Sequence, residues 1–162
     1  MDRRHFITAA LVAGSATVFA RLGGASTSES GTFEVTRTEA EWRAMLSELE
    51  YKVMREEGTE RAFTSPLDKN TAEGSYNCRG CDLPLYSSET KYDSGTGWPS
   101  FWEAKENAIG TKEDRSFFSL RTECHCRRCG SHLGHIFDDG PEPTGKRHCI
   151  NGVSLSFVAA GA

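Results

Sequence analysis

The sequence lacks an excess of positive charge. Its 162 residues include 19 lysines and arginines against 23 aspartates and glutamates, which gives a formal net charge of -4 and a pI near 5.7. Proteins that bind nucleic acid or anionic lipid through general electrostatic attraction need the opposite balance. The composition therefore argues against nucleic acid as a partner.

The chain also lacks a hydrophobic run long enough to cross a bilayer. The apolar run at residues 6–20 is shorter than the roughly 20 residues that a membrane-spanning helix needs, and Gly14 interrupts it. Because Arg3 and Arg4 precede the run and small residues end it, residues 1–25 are typical of a twin-arginine export signal. The expectation is an exported, periplasmic protein that touches the membrane only through this segment, with an uncleaved anchor as the alternative.

Internal repeats and low-complexity tracts are absent too, apart from two Cys-x-x-Cys units. An apolar content of 37% and an aromatic content of 10% suffice for one globular domain. Residues 26–37 are mostly small and polar, so we expect a linker there. The expected domain is residues 38–160, with a monomer as the default state.

The first packed element of this domain is predicted to be an amphipathic helix. Between Thr38 and Glu57 apolar residues recur at helical spacing, and Thr38 followed by Glu41 fits a capping box. We expect the helix to end at Gly58, with an interruption near Tyr51 as an alternative to one continuous helix. The apolar positions are Trp42, Met45, Leu46, Leu49, Val53 and Met54.

After the helix the sequence changes to short segments separated by Gly, Pro, Asp and Ser clusters, the pattern of antiparallel strands. A mainly β domain is therefore predicted. The expected strands are residues 73–77, 83–87, 108–112, 116–124 and 153–158.

The fourth of these segments alternates in polarity. Phe118, Leu120, Thr122 and Cys124 share one side, while Arg121 and Glu123 share the other. We expect the first set to be buried and the second set to face solvent.

Four of the six cysteines form two Cys-x-x-Cys pairs, Cys78/Cys81 and Cys126/Cys129. Each pair puts two sulfurs on one tight turn, with a glycine available for the backbone angles of that turn. Paired thiolates at this spacing suit a tetrahedral zinc ion, and four thiolates with no open position make a structural site. Because residues 82–125 separate the pairs, the zinc would join distant strands rather than organise one finger.

Two other interpretations of the cysteine pairs are open. They can be redox dithiols, or disulfides formed after export, since exported chains usually oxidise their cysteines. The twin-arginine route resembles a system that moves folded proteins, however, so zinc binding before export is compatible with it. A nucleic-acid zinc ribbon has only Arg127 and Arg128 in its favour, and such arginines are commonly solvated charge.

A fifth cysteine, Cys149, stands apart from the pairs. If the chain there is extended, Arg147, Cys149 and Asn151 point the same way. A guanidinium near the sulfur favours the thiolate, and the carboxamide can orient a polar substrate atom, which is the environment of a nucleophile. A buried free cysteine at the start of the last strand is an equally good interpretation of these residues alone.

Two further segments carry side chains suited to chemistry. His132 and His135 share a face only if the backbone turns, which Gly134 makes easy, and paired imidazoles can donate protons near neutral pH. The glycine-rich loop 93–102 carries Trp98, whose indole can close over a small apolar group such as a methyl. On spacing alone, surface or core roles for the histidines and ordinary core packing for the aromatics are the plainer interpretations.

Taken together, these residues resemble the type B methionine sulfoxide reductases, which reduce the R epimer of methionine sulfoxide. The similarity runs from about Glu41 to Phe157 and keeps the family's order of motifs. The matching segments are Arg55–Glu60, Ala62–Thr64, both cysteine pairs, Gly97–Phe101, His132–His135, Asp139–Pro141 and Arg147–Asn151.

The resemblance implies a fold of two antiparallel sheets, the β-tent, with an amino-terminal helix and a structural zinc ion held by the four paired cysteines. It implies that Cys149 attacks the sulfoxide sulfur and becomes a sulfenic acid. His135 with His132 would protonate the departing oxygen, while Asn151 and Arg147 position and tune the site. The substrate-binding residues it implies are Trp98 and Phe137.

Four positions depart from the family's usual pattern. Many relatives carry a resolving cysteine where this chain has Thr96, so we expect a thioredoxin-like protein or a small thiol to reduce Cys149 directly. Cys124 lies where many relatives have valine and is expected to be a buried valine substitute rather than a resolving thiol. His148 replaces tyrosine or phenylalanine and Gly152 replaces serine, both beside the site.

Two other function classes are compatible with parts of the sequence. A zinc-held binding or chaperone module of the same fold that has lost catalysis would have no reason to keep the nucleophile, both histidines, Asn151 and Trp98 together. A nucleic-acid zinc ribbon requires a basic patch that the composition does not supply. The sequence therefore predicts an enzyme that repairs oxidised proteins.

Overall fold

Two short helices precede the sheets in the computed structural model, which describes residues 33–116 and 120–161. Both begin with a capping box, the predicted one at Thr38 and a second one at Ser47. The prediction of one continuous helix ending at Gly58 is wrong, because Leu46 and Ser47 have extended backbones that separate two helices, and the second helix ends at Arg55. An interruption is present, but it lies at Leu46 and Ser47 rather than near Tyr51, which is inside the second helix. The helices are α1, Glu39–Met45, and α2, Glu48–Arg55.

Part of the predicted linker packs on the domain. The Phe33 ring meets His125 edge-on at 5.8 Å, and the Val35 N–H donates to the Arg128 carbonyl at 2.9 Å. The predicted export signal, residues 1–25, and the linker up to residue 32 lie outside the described residues, so those boundaries stay predictions. Within the described ranges, no helix has the length and apolar character that crossing a membrane requires.

The strands form two antiparallel sheets, as predicted. Over the described residues, the small sheet has the order β2-β1-β9 and the large sheet has the order β3-β4-β8-β7-β6-β5. The strands are β1 Gly74–Cys78, β2 Pro84–Ser87, β3 Lys91–Tyr92, β4 Ser100–Phe101, β5 Ile109–Asp114, β6 Arg121–Cys126, β7 His132–Phe137, β8 Arg147–Ile150 and β9 Leu155–Ala159.

All five predicted strands are present, as β1, β2, β5, β6 and β9, and the extended chain considered around Cys149 is present as β8. The sequence pattern does not predict β3, β4 and β7. The first two have only two residues each, which is too short to show alternation. The third contains Gly134 and an irregular register, described below, which disturbs its alternation.

The segment at strand β6 differs from the prediction at three positions. Thr122, expected to be buried, is exposed. Leu120, expected to be buried, is 67% exposed, whereas Glu123, expected to face solvent, is 3% exposed. The alternation of polar and apolar residues predicted a strand with one solvent-exposed face. Strand β6 is instead an inner strand of the large sheet, and both of its faces are covered at Glu123 and Cys124. Phe118 lies outside the described residues.

The core lies between the two sheets. Tyr86 of β2 stacks on Phe101 of β4 with ring centroids 4.2 Å apart, and Tyr76 of β1 meets Phe101 edge-on at 5.0 Å. Since Phe101 pairs directly with His148 of β8, His148 shares this inner face. Its neighbour Cys149 therefore faces the other way, and the core fixes which side of the large sheet carries the nucleophile.

Candidate active site and metal centre

A row of polar side chains crosses the outer face of the large sheet at Cys149. Cys149 of β8 pairs with Ser100 of β4 on one side and with His135 of β7 on the other. His135 pairs in turn with Glu123 of β6, and Glu123 with Lys112 of β5. Directly opposed residues of antiparallel strands share a face, so the predicted nucleophile and one predicted histidine are cross-strand neighbours.

A β-bulge brings the second histidine to the same place. Cys124 pairs with Gly134 but His125 pairs with His132, so β7 has one extra residue in this stretch. The rings of His132 and His135 consequently lie 5.5 Å apart. Gly134 is needed because a Cβ there would lie 2.0 Å from the Cys149 carbonyl oxygen. The two histidines therefore share a face through a β-bulge within a continuous strand rather than through the turn of the backbone that was expected at Gly134.

His132 is held by a buried carboxylate. Its Nδ1 lies 2.8 Å from Glu123 Oε1, and the Lys112 ammonium lies 2.9 Å from Glu123 Oε2. Burial raises the pKa of Glu123, but the hydrogen bonds from His132 and Lys112 outweigh it and hold the pKa below its ordinary value. The other ring nitrogen, His132 Nε2, is buried without a hydrogen-bond partner among the described residues. That nitrogen is available to a polar group that enters the site.

His135 is held in the same way by Asp114 of β5. Its Nε2 lies 2.8 Å from Asp114 Oδ2, which also pairs with Arg121 at 2.6 Å. Burial lowers the pKa of His135, and the hydrogen bond to Asp114 opposes that shift. Both imidazoles are therefore fixed in orientation by a carboxylate from another strand of the large sheet: Glu123 from the adjacent β6, and Asp114 from β5, two strands away.

The Cys149 sulfur is half-buried between an arginine and a threonine. Burial raises the pKa of its thiol, while the charge of Arg147 and a hydrogen bond from Thr96 lower it. Arg147 lowers the pKa of the Cys149 thiol, as expected from the sequence, but burial raises that pKa by more. The resting thiol is therefore protonated at neutral pH. Arg147 is itself fixed, because it pairs with both oxygens of Asp139 at 2.9 Å and lies 4.4 Å from the Phe137 ring centroid.

Asn151 does not share the outer face with Cys149. Strand β8 ends at Ile150, and Asn151 leads into a short 3₁₀ helix, Gly152–Ser154. Its carboxamide donates to the Leu133 carbonyl at 3.0 Å and accepts the Glu60 N–H at 2.9 Å. The expectation that Asn151 points with Cys149 is corrected: the amide ties backbone segments together beneath the site.

Trp98 lies on the loop that joins β3 to β4. The indole is partly exposed, and its Nε1 donates to the Glu60 carbonyl at 3.1 Å. Thr96, two residues earlier, reaches the Cys149 sulfur, and Ser100, two residues later, pairs with Cys149 in the sheet. Both ends of this short segment are thus anchored at the nucleophile, with the indole between them.

Several site residues carry no signal in the sequence. Glu123 and Asp114 hold the histidines from strands that precede them in the chain, and Glu60 holds Trp98 and Asn151 from the segment after α2. No spacing rule links these pairs. Only the register of β5, β6 and β7 shows which carboxylates meet which imidazoles.

The four paired cysteines converge on one point. Their sulfurs lie within 4.8 Å of one another, with Cys78 3.6 Å from Cys129 and Cys81 3.5 Å from Cys126. Tetrahedral zinc–sulfur bonds of about 2.3 Å place sulfurs about 3.8 Å apart, so the donor set fits such an ion. All six cysteines are free thiols, which does not support the disulfide alternative. The site joins β1 of the small sheet to β6 of the large sheet.

Cys124 occupies a buried position, as predicted. It is 0% exposed, and it hydrogen-bonds to Tyr86 on the inner face of the large sheet. Burial raises the pKa of its thiol well above the ordinary range. Because its neighbour Glu123 pairs with His135 in the row of Cys149, Cys124 faces the opposite side of the sheet from Cys149.

Known proteins resemble this chain over most of its length. The model of the SelR domain matches residues 46–159. The chain is 54% identical over 122 residues to the peptide methionine sulfoxide reductase MsrB of Thiobacillus denitrificans, which covers 75% of this chain and 92% of that protein. It is 52% identical over 124 residues to the protein of the same name from Methanosarcina barkeri, covering 76% and 87%. The corresponding protein of Leptospira interrogans is 47% identical over 126 residues, covering 77% and 96%.

Proposed function

The chain belongs to the SelR-domain family, and on that premise we propose that it is an enzyme that reduces the R epimer of methionine sulfoxide in oxidised proteins. Its relatives are named as peptide methionine sulfoxide reductases, which supports the activity. The observation that carries the proposal is the position of Cys149 directly opposite His135, whose ring lies 5.5 Å from that of His132 with its unpaired Nε2. A nucleophile and two proton carriers then surround one space on the outer face of the large sheet.

The oxidised side chain is proposed to enter between the aromatic residues and the histidines. Trp98, held through its indole N–H, covers the methyl group, and Phe137 borders the site with the Arg147 guanidinium over its ring. The sulfoxide oxygen then faces His132 Nε2 and the adjacent His135 ring. Because Glu123 and Asp114 hold the other side of each ring, the imidazoles need no reorientation when substrate binds.

The proposed first step transfers oxygen from methionine sulfoxide to Cys149. The histidine pair takes the Cys149 thiol proton and delivers a proton to the sulfoxide oxygen, which makes the sulfoxide sulfur electrophilic, and the resulting Cys149 thiolate attacks that sulfur. The methionine sulfur gains two electrons and loses its oxygen, while the Cys149 sulfur loses two electrons and becomes a sulfenic acid, S–OH. Arg147 and the Thr96 hydroxyl stabilise the thiolate before attack.

The second step returns Cys149 to its thiol. We propose that an external thiol attacks the sulfenic acid, releasing water and forming a mixed disulfide, and that a second thiol releases Cys149 and leaves the donor as a disulfide. A thioredoxin-like protein or a small thiol can supply both. The direct route is favoured because residue 96 is threonine and because Cys124 lies buried on the opposite face of the sheet.

The four paired cysteines are proposed to hold one zinc ion with a structural role. With four protein ligands it would have no open position for substrate, so no step of the reaction passes through it. Its contribution would be to join β1 and β6, which stabilises the two sheets against each other.

Export through a twin-arginine-type route is a separate proposal. It rests on Arg3 and Arg4, on the apolar run that follows them, and on the small residues near position 25. Replacement of both arginines by lysine is expected to keep the protein in the cytoplasmic fraction, whereas the unchanged chain appears in the periplasmic fraction. Equal distribution of the two would contradict the proposal.

A stereochemical assay tests the proposed reaction. The protein is incubated with separated R and S sulfoxides of a blocked methionine and dithiothreitol, and Cys149→Ser is measured in parallel. We expect loss of the R epimer only, no turnover in the variant, and a mass increase of one oxygen on Cys149 when the reductant is omitted. Consumption of the S epimer, or an unchanged rate in Cys149→Ser, would refute the proposal.

The alternative of a catalytically inactive binding module is not favoured. The chain keeps a free thiol at Cys149 directly opposite His135 in the sheet, and both histidines keep their carboxylate partners. A module that only binds a partner has no use for an unpaired imidazole nitrogen beside a thiol. Absence of any sulfoxide reduction by the wild-type protein would bring this alternative back.

A further inference from the structure

One buried carboxylate, Glu60, has no place in the proposed reaction but touches three parts of the site. It follows α2 and is 2% exposed. The backbone carbonyl of Glu60 accepts the Trp98 indole N–H at 3.1 Å, and the backbone N–H of Glu60 donates to Asn151 Oδ1 at 2.9 Å. Its side chain accepts the N–H of Val153 at 3.2 Å through Oε2 and the N–H of Gly152 through Oε1. One residue therefore joins the Trp98 loop to the turn that follows Cys149.

Burial of this carboxylate is unfavourable unless its hydrogen bonds are kept. Burial raises the pKa of Glu60, and the two backbone N–H groups of Gly152 and Val153 oppose that rise. No lysine or arginine pairs with it among the contacts of the described residues. The carboxylate is thus stabilised mainly by the short 3₁₀ helix that begins immediately after Asn151.

The segment that carries Glu60 is also pressed against both neighbours. A Cβ on Gly152 would lie 1.8 Å from Ser65 Oγ, so only glycine allows the turn and this segment to approach so closely. On the other side, the Phe63 N–H donates to the Gly97 carbonyl at 2.8 Å, and Phe63 adopts a φ of 64°, which is strained for a residue other than glycine. The close contact at Gly152 and the strained backbone at Phe63 together indicate that the spacing between the Trp98 loop and the turn after Cys149 is fixed.

We propose that Glu60 is a positioning residue for the reaction proposed above: it sets the distance between the Trp98 indole and the strand end that carries Cys149. The inference rests on the proposed function, since the indole is the surface expected to receive the substrate methyl. Without the Glu60 side chain, the N–H groups of Gly152 and Val153 lose their acceptors, and the backbone carbonyl that accepts the Trp98 indole N–H is no longer held to the turn after Cys149 by that side chain. Cys149 itself keeps its contacts with Arg147 and Thr96.

The test compares Glu60→Gln and Glu60→Ala with Asp68→Asn. Glutamine keeps the volume but offers one acceptor where the two N–H groups need two, and alanine removes both. Asp68 is a control for the loss of a buried carboxylate, because it is 5% exposed, lies on the same stretch of chain and forms its ion pair with Lys69. It acts on Glu60 only through its charge, which raises the pKa of Glu60, so Asp68→Asn also tests whether charge alone affects the site. Circular dichroism and thermal unfolding identify temperatures at which every variant is folded.

Under those conditions we expect kcat/KM for methionine sulfoxide to fall about 10-fold in Glu60→Gln and about 100-fold in Glu60→Ala, with a higher KM in both, because small displacements of positioning groups have effects of this size. Asp68→Asn is expected to stay within about twofold of wild type. The rate of Cys149 alkylation by iodoacetamide, followed by peptide mass, is expected to stay within about twofold in all variants, since the thiol's own contacts are kept.

A spectroscopic measurement separates this inference from the proposed function. The indole N–H resonance of Trp98, assigned by its loss in Trp98→Phe, is expected to shift in both Glu60 variants and to stay in place in Asp68→Asn, whether or not the protein reduces sulfoxides. An unshifted resonance together with unchanged kcat/KM would overturn the positioning role. A parallel loss of activity and of Cys149 alkylation would also overturn it, because Glu60 would then act on the thiol or on the fold as a whole.

Discussion

His148 makes the stability of the fold depend on pH in a way that one substitution can remove. The side chain is buried on the inner face of the large sheet, 8% exposed, with its Nδ1 3.2 Å from the Tyr86 hydroxyl. Burial lowers the pKa of His148 to about 4, and the positive charge of Lys146 adds to the effect. The titratable group that faces the ring from β2, Tyr86, is neutral at these pH values because burial raises its pKa. His148→Phe replaces the imidazole by a ring that does not titrate.

The direction of the effect follows from which state binds the proton. In the unfolded chain His148 has its ordinary pKa of 6.5, so below that pH the unfolded state takes up a proton that the folded state refuses until about pH 4. Stability that is fully present above pH 6.5 is therefore lost as the pH falls from 6.5 to 4. The two pKa values differ by about 2.5, and at about 1.4 kcal/mol for each unit of pH this residue accounts for a loss of about 3 kcal/mol.

The assay is urea unfolding of wild type and His148→Phe at pH 7, 6, 5 and 4. At pH 7 we expect the two free energies of unfolding to agree within about 1 kcal/mol, because phenylalanine loses the hydrogen bond to Tyr86 but buries a more apolar ring. Between pH 7 and pH 4, the free energy of unfolding is expected to fall by about 3 kcal/mol more in wild type than in His148→Phe. Metal loss in acid affects both proteins alike and cancels in the difference. Parallel pH curves would refute the reasoning, since they would mean that His148 takes up its proton in the folded state as readily as in the unfolded chain.

Three further predictions concern the site and the metal. Glu123→Gln removes the charge that holds His132 and is expected to lower kcat at least about 10-fold with little change in the circular dichroism spectrum, and an unchanged kcat would contradict the role of His132. Thr96→Cys places a second thiol where the Thr96 hydroxyl now reaches the Cys149 sulfur. We expect one turnover without reductant to leave a disulfide between position 96 and Cys149, which mass spectrometry detects as a loss of two hydrogens. A stable sulfenic acid in that variant would contradict this contact between the two side chains. Cys129→Ala is expected to abolish zinc binding, measured as one ion per chain in wild type by native mass spectrometry, and to lower the thermal unfolding midpoint by about 10 °C or more; an unchanged midpoint would refute a structural metal.

Local spacing predicts the parts of this molecule whose chemistry lies within a few residues of sequence. The two sulfurs of each cysteine pair lie close together as expected because each pair occupies one turn, whereas the meeting of the two pairs depends on the fold. The capping box at Thr38 forms because its two partners are three residues apart. The meeting of His132 and His135 depends on Gly134, which is visible in the sequence, but also on the register of β6 against β7, which is not. The sequence could state only the condition for that meeting.

The remaining features depend on contacts between distant strands. Glu123 reads as a solvent-exposed residue in an alternating strand, and it is buried because β7 brings His132 and β5 brings Lys112 to it. Asn151 reads as a neighbour of Cys149 on the same face, but the strand ends one residue earlier and the side chain turns to Glu60. Both predictions are wrong for the same reason: they assume that side chains alternate regularly between the two faces of a strand, whereas the positions of Glu123 and Asn151 depend on residues that are distant in the sequence.

The placement of Cys124 and Cys149 on opposite faces of one sheet has a kinetic meaning. If Cys149 becomes oxidised as proposed, the nearest spare thiol in the chain is separated from it by the thickness of the β-layer, and no intramolecular partner competes with donors arriving from solution. The speed of recovery would then scale with the concentration of reductant around the protein, and the molecule would accumulate in its oxidised form wherever that supply runs short.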